Sequence, residues 1–198
     1  MAPMQEIGTL IVQTLGSLYL LVVMLRFLLQ LARADFYNPI SQFIVKATNP
    51  LLIPLRRIVP GVMGLDLAAL LLALLVQFVI LELSALILGY GLINPLYAVM
   101  WSAIGILALT ANIFFWGLLI MVITSWVAPH SSNPALMLVR QLVEPVMAPF
   151  RKLLPDMGGI DISPIFAFLA LNVVQVLIKH LAASAGMSGA VSQLVMGI

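Results

Sequence analysis

Apolar residues run along this chain in four long blocks, about residues 7–31, 65–88, 96–126 and 162–181. Each is close to or above the ~20 residues with which an α-helix crosses a hydrocarbon layer ~30 Å thick. The pattern therefore predicts four membrane-spanning helices. Between the first and second blocks, and again between the third and fourth, its character changes. Residues 38–60 and 133–155 mix apolar positions with prolines and cationic side chains. In the first of these segments Ile40, Phe43, Ile44 and Ala47 share one helical face, with Ser41, Gln42 and Lys46 away from it. A helix of about ten residues with this pattern is too short to span and suits the membrane interface. Asn38 is expected to cap it, with Pro39 as its first residue. Pro50 is expected to end it, because the residue before a proline avoids helical geometry. The following "PLLIPLRRIVP" is expected to hold a turn or two between prolines but no long helix. Its leucines would dip into the acyl boundary while Arg56 and Arg57 reach headgroup phosphates.

The two mixed segments are copies. Sliding the chain over itself by 95 residues places Asn38-Pro39 on Asn133-Pro134, Pro50 on Pro145, Pro54 on Pro149 and Arg56 on Arg151. Pro60 then falls on Pro155, Gly64 on Gly159 and Asp66 on Asp161, giving eight identities in 29 positions. Arg57 falls on Lys152 and keeps its charge. Such an internal repeat defines the architecture before any local detail. The units are residues 1–90 and 91–198, each reading as span, interfacial segment, span. A unit with two spans starts and ends on one side, so its copy has the same orientation. The repeats are parallel, related by an axis along the membrane normal. The fold class expected is all-α: a polytopic membrane protein of four spans in two hairpins.

Composition sharpens this picture. The chain is 63% hydrophobic and 8% charged, with a mean hydropathy of +1.18, far above that of soluble domains. A net charge of +2 gives no reason to expect nucleic acid. Its distribution matters more. Arg33, Lys46, Arg56 and Arg57 lie between the first two spans, and Arg140, Arg151 and Lys152 between the last two, while "GYGLINP" between the middle spans is uncharged. The positive-inside rule puts both basic segments in the cytoplasm and both termini outside. The first apolar block does not read as a cleaved leader, since it lacks a basic start, carries Glu6 and is too long. The absence of cysteine removes disulfides, thiolate metal sites and thiol catalysis together.

Asp66 and Asp161 open the spans that follow the basic segments. Each is expected to cap its helix, and pairing with Arg56 and Arg57 or with Arg151 and Lys152 is compatible with that role. Gln77 and Asn172 are repeat equivalents, each 11 residues past its aspartate, and so ~16 Å into the layer. Both, with Thr110 and Asn112, are expected to join helices by amide or hydroxyl hydrogen bonds. Glu82 lies deep in the second span and Lys179 at a similar depth in the fourth, where Asn172, Gln175 and Lys179 share a face. An ionisable residue inside a membrane is a functional-site hypothesis by default. Glu82 and Lys179 are expected to pair or both to reach water, and an ion or proton path is the sharper alternative. Arg26, near the inner end of the first span, is expected to snorkel to phosphate. Two distant histidines without a carboxylate cluster make no metal site.

The motifs "RADFYNPISQFIVKATNPLLIPLRRIVP" and "SWVAPHSSNP…EPVMAPFRKLLPDMGGIDISP" resemble those of the YggT family of small bacterial inner-membrane proteins, which has relatives in plastids. The first copy departs from the second at its entry, "LARADFYNP" against "SWVAP". The resemblance implies a multi-pass inner-membrane location. It also implies a link to osmotic or salt stress and ion homeostasis and, through the plastid relatives, to assembly of a cytochrome complex and membrane organisation. It brings no reaction with it.

Two functions follow as expectations. One is a membrane scaffold or assembly factor, whose Lys46, Arg56, Arg57, Arg140, Arg151 and Lys152 would bind anionic lipid headgroups, another membrane protein or a second copy. Each such cation near an anionic surface contributes about 1 kcal/mol. The alternative is an oligomeric ion or solute pathway using Gln77, Glu82, Asn172, Gln175 and Lys179. An enzyme is not expected, since no phosphate loop, metal-ligand cluster or nucleophile–base pair is visible and no cofactor is implied.

Overall fold

In the computed structural model of the protein the described residues are 3–62, 64–153, 161–187 and 189–198. They form seven helices: α1 Pro3–Leu31, α2 Pro39–Ile58, α3 Leu67–Ile87, α4 Pro95–Val127, α5 Pro134–Leu153, α6 Ser163–Ser184 and the single turn α7 Gly189–Ser192. Four of these, α1, α3, α4 and α6, are long and apolar enough to cross a membrane. They carry leucine, isoleucine and valine all round rather than on one stripe, as a helix does when it faces protein on one side and lipid on the other. Pro155 and Gly159, two members of the repeat, lie outside the described residues.

The spans pack in the order α1, α3, α4, α6, and α1 and α6 stand at the ends of that row. The α1–α3 contact is close because Gly16 lies against Ile80, where a Cβ would overlap the isoleucine side chain. Among the described residues the bundle of two hairpins is thus not closed by any extensive contact between α1 and α6. The chain after α6 fills that place. It turns at Gly186, folds back as α7, and buries Leu194 and Val195. Trp101 Nε1 donates to the Ala185 carbonyl at 3.0 Å and fixes the turn. Irregular backbone at membrane depth is tolerated where protein covers it, and here it does.

α2 and α5 gather at one end of the bundle. Asn38 Oδ1 accepts from Ile40 N–H, with Pro39 leading the helix, and Asn133 caps Ala135 in the same way. Asn38 Nδ2 also donates to the Pro134 carbonyl at 2.8 Å, so the first cap stitches the two repeats together.

The extent of α2 corrects the sequence reading. It runs unbroken through Pro50 and Pro54 for 20 residues, and α5 does the same through Pro145 and Pro149. The reason lies in where the prolines point. Ser41, Ile44, Thr48 and Leu52 form the buried stripe of α2, and Pro50 and Pro54 fall on its exposed side. The carbonyls that lose a donor there lie on the exposed side, where no partner from the packed face is needed. The apolar face is also turned from the one expected. Ser41 is fully buried and donates to the Asp35 carbonyl, whereas Phe43 is 65% exposed.

Candidate functional site

Three of the six cations picked from sequence have partners within the protein. Arg56 pairs with Asp66, whose side chain is buried and also accepts from Ala69 N–H at the start of α3. Cap and ion pair therefore coexist on one carboxylate. In the second repeat Arg151 donates to Asp161 at 3.2 Å and to Glu144, two turns back on α5, at 2.7 Å. Asp161 accepts from Ser163 N–H at 2.9 Å. Partial burial works against ionisation of Asp161, but the bonds from Ser163 and Arg151 outweigh it and hold its carboxyl below the usual range. Burial pulls Arg151 down and its two carboxylates more than restore it, leaving it above the ordinary guanidinium value. Arg140 donates to the Pro129 carbonyl at 3.3 Å.

The second cation of each doublet has no such partner among the described residues. Lys46 and Arg57, three turns apart on the exposed side of α2, and Lys152 on α5 are exposed. Among the described residues none of the three forms an ion pair. The duplicated Arg-Arg/Lys doublet thus divides its work: the first member ties the segment to the next span, and the second faces outward.

Arg26 does not snorkel. It is 4% exposed, and its guanidinium donates to the Val45 carbonyl, the Thr48 hydroxyl and Asn49 Oδ1. It binds α1 to α2 from inside. Under the 95-residue offset its counterpart is Met121, and that of Thr48 is Val143. Both are buried in one apolar cluster of the second repeat. The two changes come together, polar with polar and apolar with apolar. The sequence carried that signal at the repeat offset, in positions that the motif comparison passed over.

The midplane residues separate similarly. Asn112 and Gln175 do join helices: Gln175 Nε2 donates to Asn112 Oδ1 at 3.0 Å, and Asn112 Nδ2 donates to the Gly197 carbonyl at 2.9 Å. Gln13 Nε2 donates to the Gln193 carbonyl. The returning segment is therefore held on both sides by amides from the spans. It reaches so deep because Gly105 leaves room for Val195 and for the Met196 carbonyl. Asn172 and Thr110 bond back to Phe168 and Ile106 of their own helices, contrary to expectation. Gln77 is fully buried in the middle of α3, and among the described residues neither of its amide atoms has a partner. Glu82 and Lys179 are not brought together. Glu82 is 8% exposed and accepts from Ile93 N–H in the α3–α4 connection, so it neither pairs with Lys179 nor opens to water. Lys179 is exposed beside the Asn112–Gln175 pair, at a cavity of about 360 Å³ that Gly197 and Ile198 also line. Among the described residues no group of three histidines or carboxylates could hold a metal.

The CCB3/YggT family model matches the chain twice, over residues 5–87 and 100–182, with the same 95-residue spacing as the repeat. The chain belongs to the CCB3/YggT family. It is 57% identical over 179 residues to an uncharacterised protein of Pseudomonas aeruginosa, covering 89% of this chain and 91% of that one. It is 41% identical over 169 residues to YggT of Escherichia coli K12, covering 84% and 86%, and 42% identical over 165 residues to a protein of Vibrio alginolyticus, covering 82% and 88%. No solved structure matches it. The returning segment after α6 lies beyond both family matches, so this YggT-family chain closes its bundle with residues that follow the duplicated stretch.

Proposed function

We propose that this YggT-family protein is a non-catalytic scaffold of the bacterial inner membrane, with its α2/α5 end in the cytoplasm. Its exposed basic face would engage anionic headgroups and, through them or directly, a partner membrane protein or a second copy. The observation that carries this reading is the division of the doublets. Arg56 and Arg151 are each paired with carboxylates of the same chain, while Lys46, Arg57 and Lys152 are exposed without such a pair among the described residues. Cations needed only for topology have no reason to share a face with Phe43 and Ile58, which are 65% and 77% exposed on the same helix. A face of exposed apolar and basic side chains suits an interface better than bulk water. Action in osmotic stress would then come through organisation of other membrane components.

The test replaces Lys46, Arg57 and Lys152 together by glutamine. Expected are unchanged insertion and helicity, with loss of the anionic lipid and protein that copurify after crosslinking in native membranes. An unchanged set of crosslinked species at equal insertion would remove the basis of the reading. Labelling of a cysteine placed at Lys46 from the periplasmic side alone would reverse the proposed topology.

The second reading, an ion or solute pathway, is favoured by the cavity at Asn112, Gln175 and Lys179. Two of these three groups are already bonded within the protein, Asn112 to the returning segment, which leaves little polar surface for a solute. Reconstituted protein that passes potassium or an osmolyte down a gradient would favour the pathway over the scaffold.

A further inference from the structure

A cleft lined by both apolar and charged side chains opens between α4, α5 and α6 at the end where α5 lies, enclosing about 950 Å³. That is within the ~300–1,000 Å³ of small-molecule sites. Its polar lining is Ser125, Trp126, Arg140, Glu144, Arg151 and Asp161. The equivalent place in the first repeat is bridged. There Arg26 reaches from α1 to Val45, Thr48 and Asn49, and the helices close on it. In the second repeat Met121 replaces Arg26, and Val45 and Asn49 become Arg140 and Glu144. The tethered guanidinium is gone, and the wall of the cleft has gained one cation and one carboxylate.

The charges are arranged in two poles. Glu144, Asp161 and Arg151 are joined by two ion pairs and carry one net negative charge. Arg140 stands one helical turn before Glu144, its guanidinium held by a neutral carbonyl, and supplies one positive charge. Side chains so spaced on a helix are neighbours, with Cβ atoms ~5–6 Å apart. Trp126, 86% exposed, offers its indole at the rim, and Met121 and Ile165 give the cleft an apolar wall.

We propose that this cleft binds the headgroup of an amine-bearing phospholipid. The phosphate would lie on Arg140. The primary ammonium, two carbons away, would donate to Glu144 and Asp161, with the Trp126 ring beside it. A bidentate-capable guanidinium suits phosphate oxygens, and an aromatic face suits an ammonium. A quaternary ammonium has no N–H to donate to the carboxylates, and a glycerol headgroup has no cation for them. The site is distinct from Lys46 and Arg57 on α2, so it and the proposed scaffold role stand or fall separately.

The test is native mass spectrometry of the full chain, purified and then equilibrated with equal amounts of phosphatidylethanolamine, phosphatidylcholine and phosphatidylglycerol. Expected is preferential retention of phosphatidylethanolamine. Arg140→Gln and Glu144→Gln should each lower that retention by roughly ten-fold, the factor that one charge-assisted hydrogen bond carries. Trp126→Ala changes an exposed side chain, keeps the test valid if a charge variant fails to fold, and should lower retention by about three-fold. Met121→Arg with Val143→Thr copies the first repeat and should abolish retention at unchanged helicity. Equal retention of the choline lipid, preference for the glycerol lipid, or folded variants that hold phosphatidylethanolamine as the parent does would overturn the proposal.

Discussion

Arg26 of α1 and Thr48 of α2 are joined guanidinium to hydroxyl inside the protein, and at the same two places in the second repeat Met121 and Val143 lie in one apolar cluster. One architecture thus has two interchangeable solutions for holding its amphipathic helix. Thr48→Val alone removes an acceptor from a buried charge and should cost about 1–3 kcal/mol. Arg26→Met with Thr48→Val installs the apolar solution and should come close to the parent in stability, as when a buried ionic group gives way to well-packed hydrocarbon. A double-mutant cycle on unfolding in detergent should give a coupling energy above about 0.5 kcal/mol. Additive single changes would mean that the two residues do not act as a unit.

The returning segment should be held by fit at Gly105. Gly105→Leu places a side chain where Val195 and Met196 now lie, and overpacking of this kind costs about 1–3 kcal/mol. The chain has no cysteine, so Val195→Cys gives a clean reporter. With Gly105 in place the thiol, at a position 3% exposed, should resist a water-soluble maleimide. With Gly105→Leu it should react. Equal labelling of the two proteins would show that the segment does not depend on this contact.

Much of this fold was legible in the chain because continuous apolar blocks admit few readings. The caps were legible for a similar reason: Asn before Pro and Asp before an apolar run satisfy orphan N–H groups in only one way. Pro50 and Pro54 misled because a proline's effect depends on which side of the helix it occupies, and that side is set by packing. Phe43 looked like an anchor for a face that in fact belongs to Ser41 and Thr48, whose hydroxyls find backbone carbonyls when buried. The returning segment scatters Met187, Val191, Leu194, Val195, Met196 and Ile198 among glycines, serines and a glutamine, too short and broken a stretch for a periodic signal. Its partners, Gly105, Asn112 and Gln13, are spread over two spans. Glu82 was expected to pair with Lys179 or reach water because the two lie at a similar depth; it accepts instead from the Ile93 backbone N–H, a contact across a loop that spacing along the chain does not show.

Gln77 should be dispensable for stability. Its amide is fully buried, and among the described residues neither polar atom has a partner. A buried unsatisfied polar group costs about 1–3 kcal/mol, so Gln77→Leu, of similar length, should raise the unfolding free energy by about 1 kcal/mol. Thermal unfolding in detergent measures it. A loss of stability would assign the amide a bonded role, and the repeat equivalent Asn172→Leu, whose side chain is exposed, should change little.

The ion pairs of the second repeat should loosen in acid. Hydrogen bonds from Ser163 and Arg151 hold the folded Asp161 carboxyl below its unfolded value, which is ~3.9 in model peptides. A group depressed in the folded state binds fewer protons there than in the unfolded one. Its stabilising contribution is therefore complete above ~4 and fades as pH falls through the folded pKa. The side chain is 48% exposed, so solvent screening keeps the effect small. Thermal unfolding in detergent, followed against pH in the parent and in Asp161→Asn, would report it. The difference in stability between the two proteins should be constant from pH 7 to about pH 5 and shrink below ~4, where the parent carboxyl takes up its proton. An unchanged profile in Asp161→Asn would place the acid transition on another group.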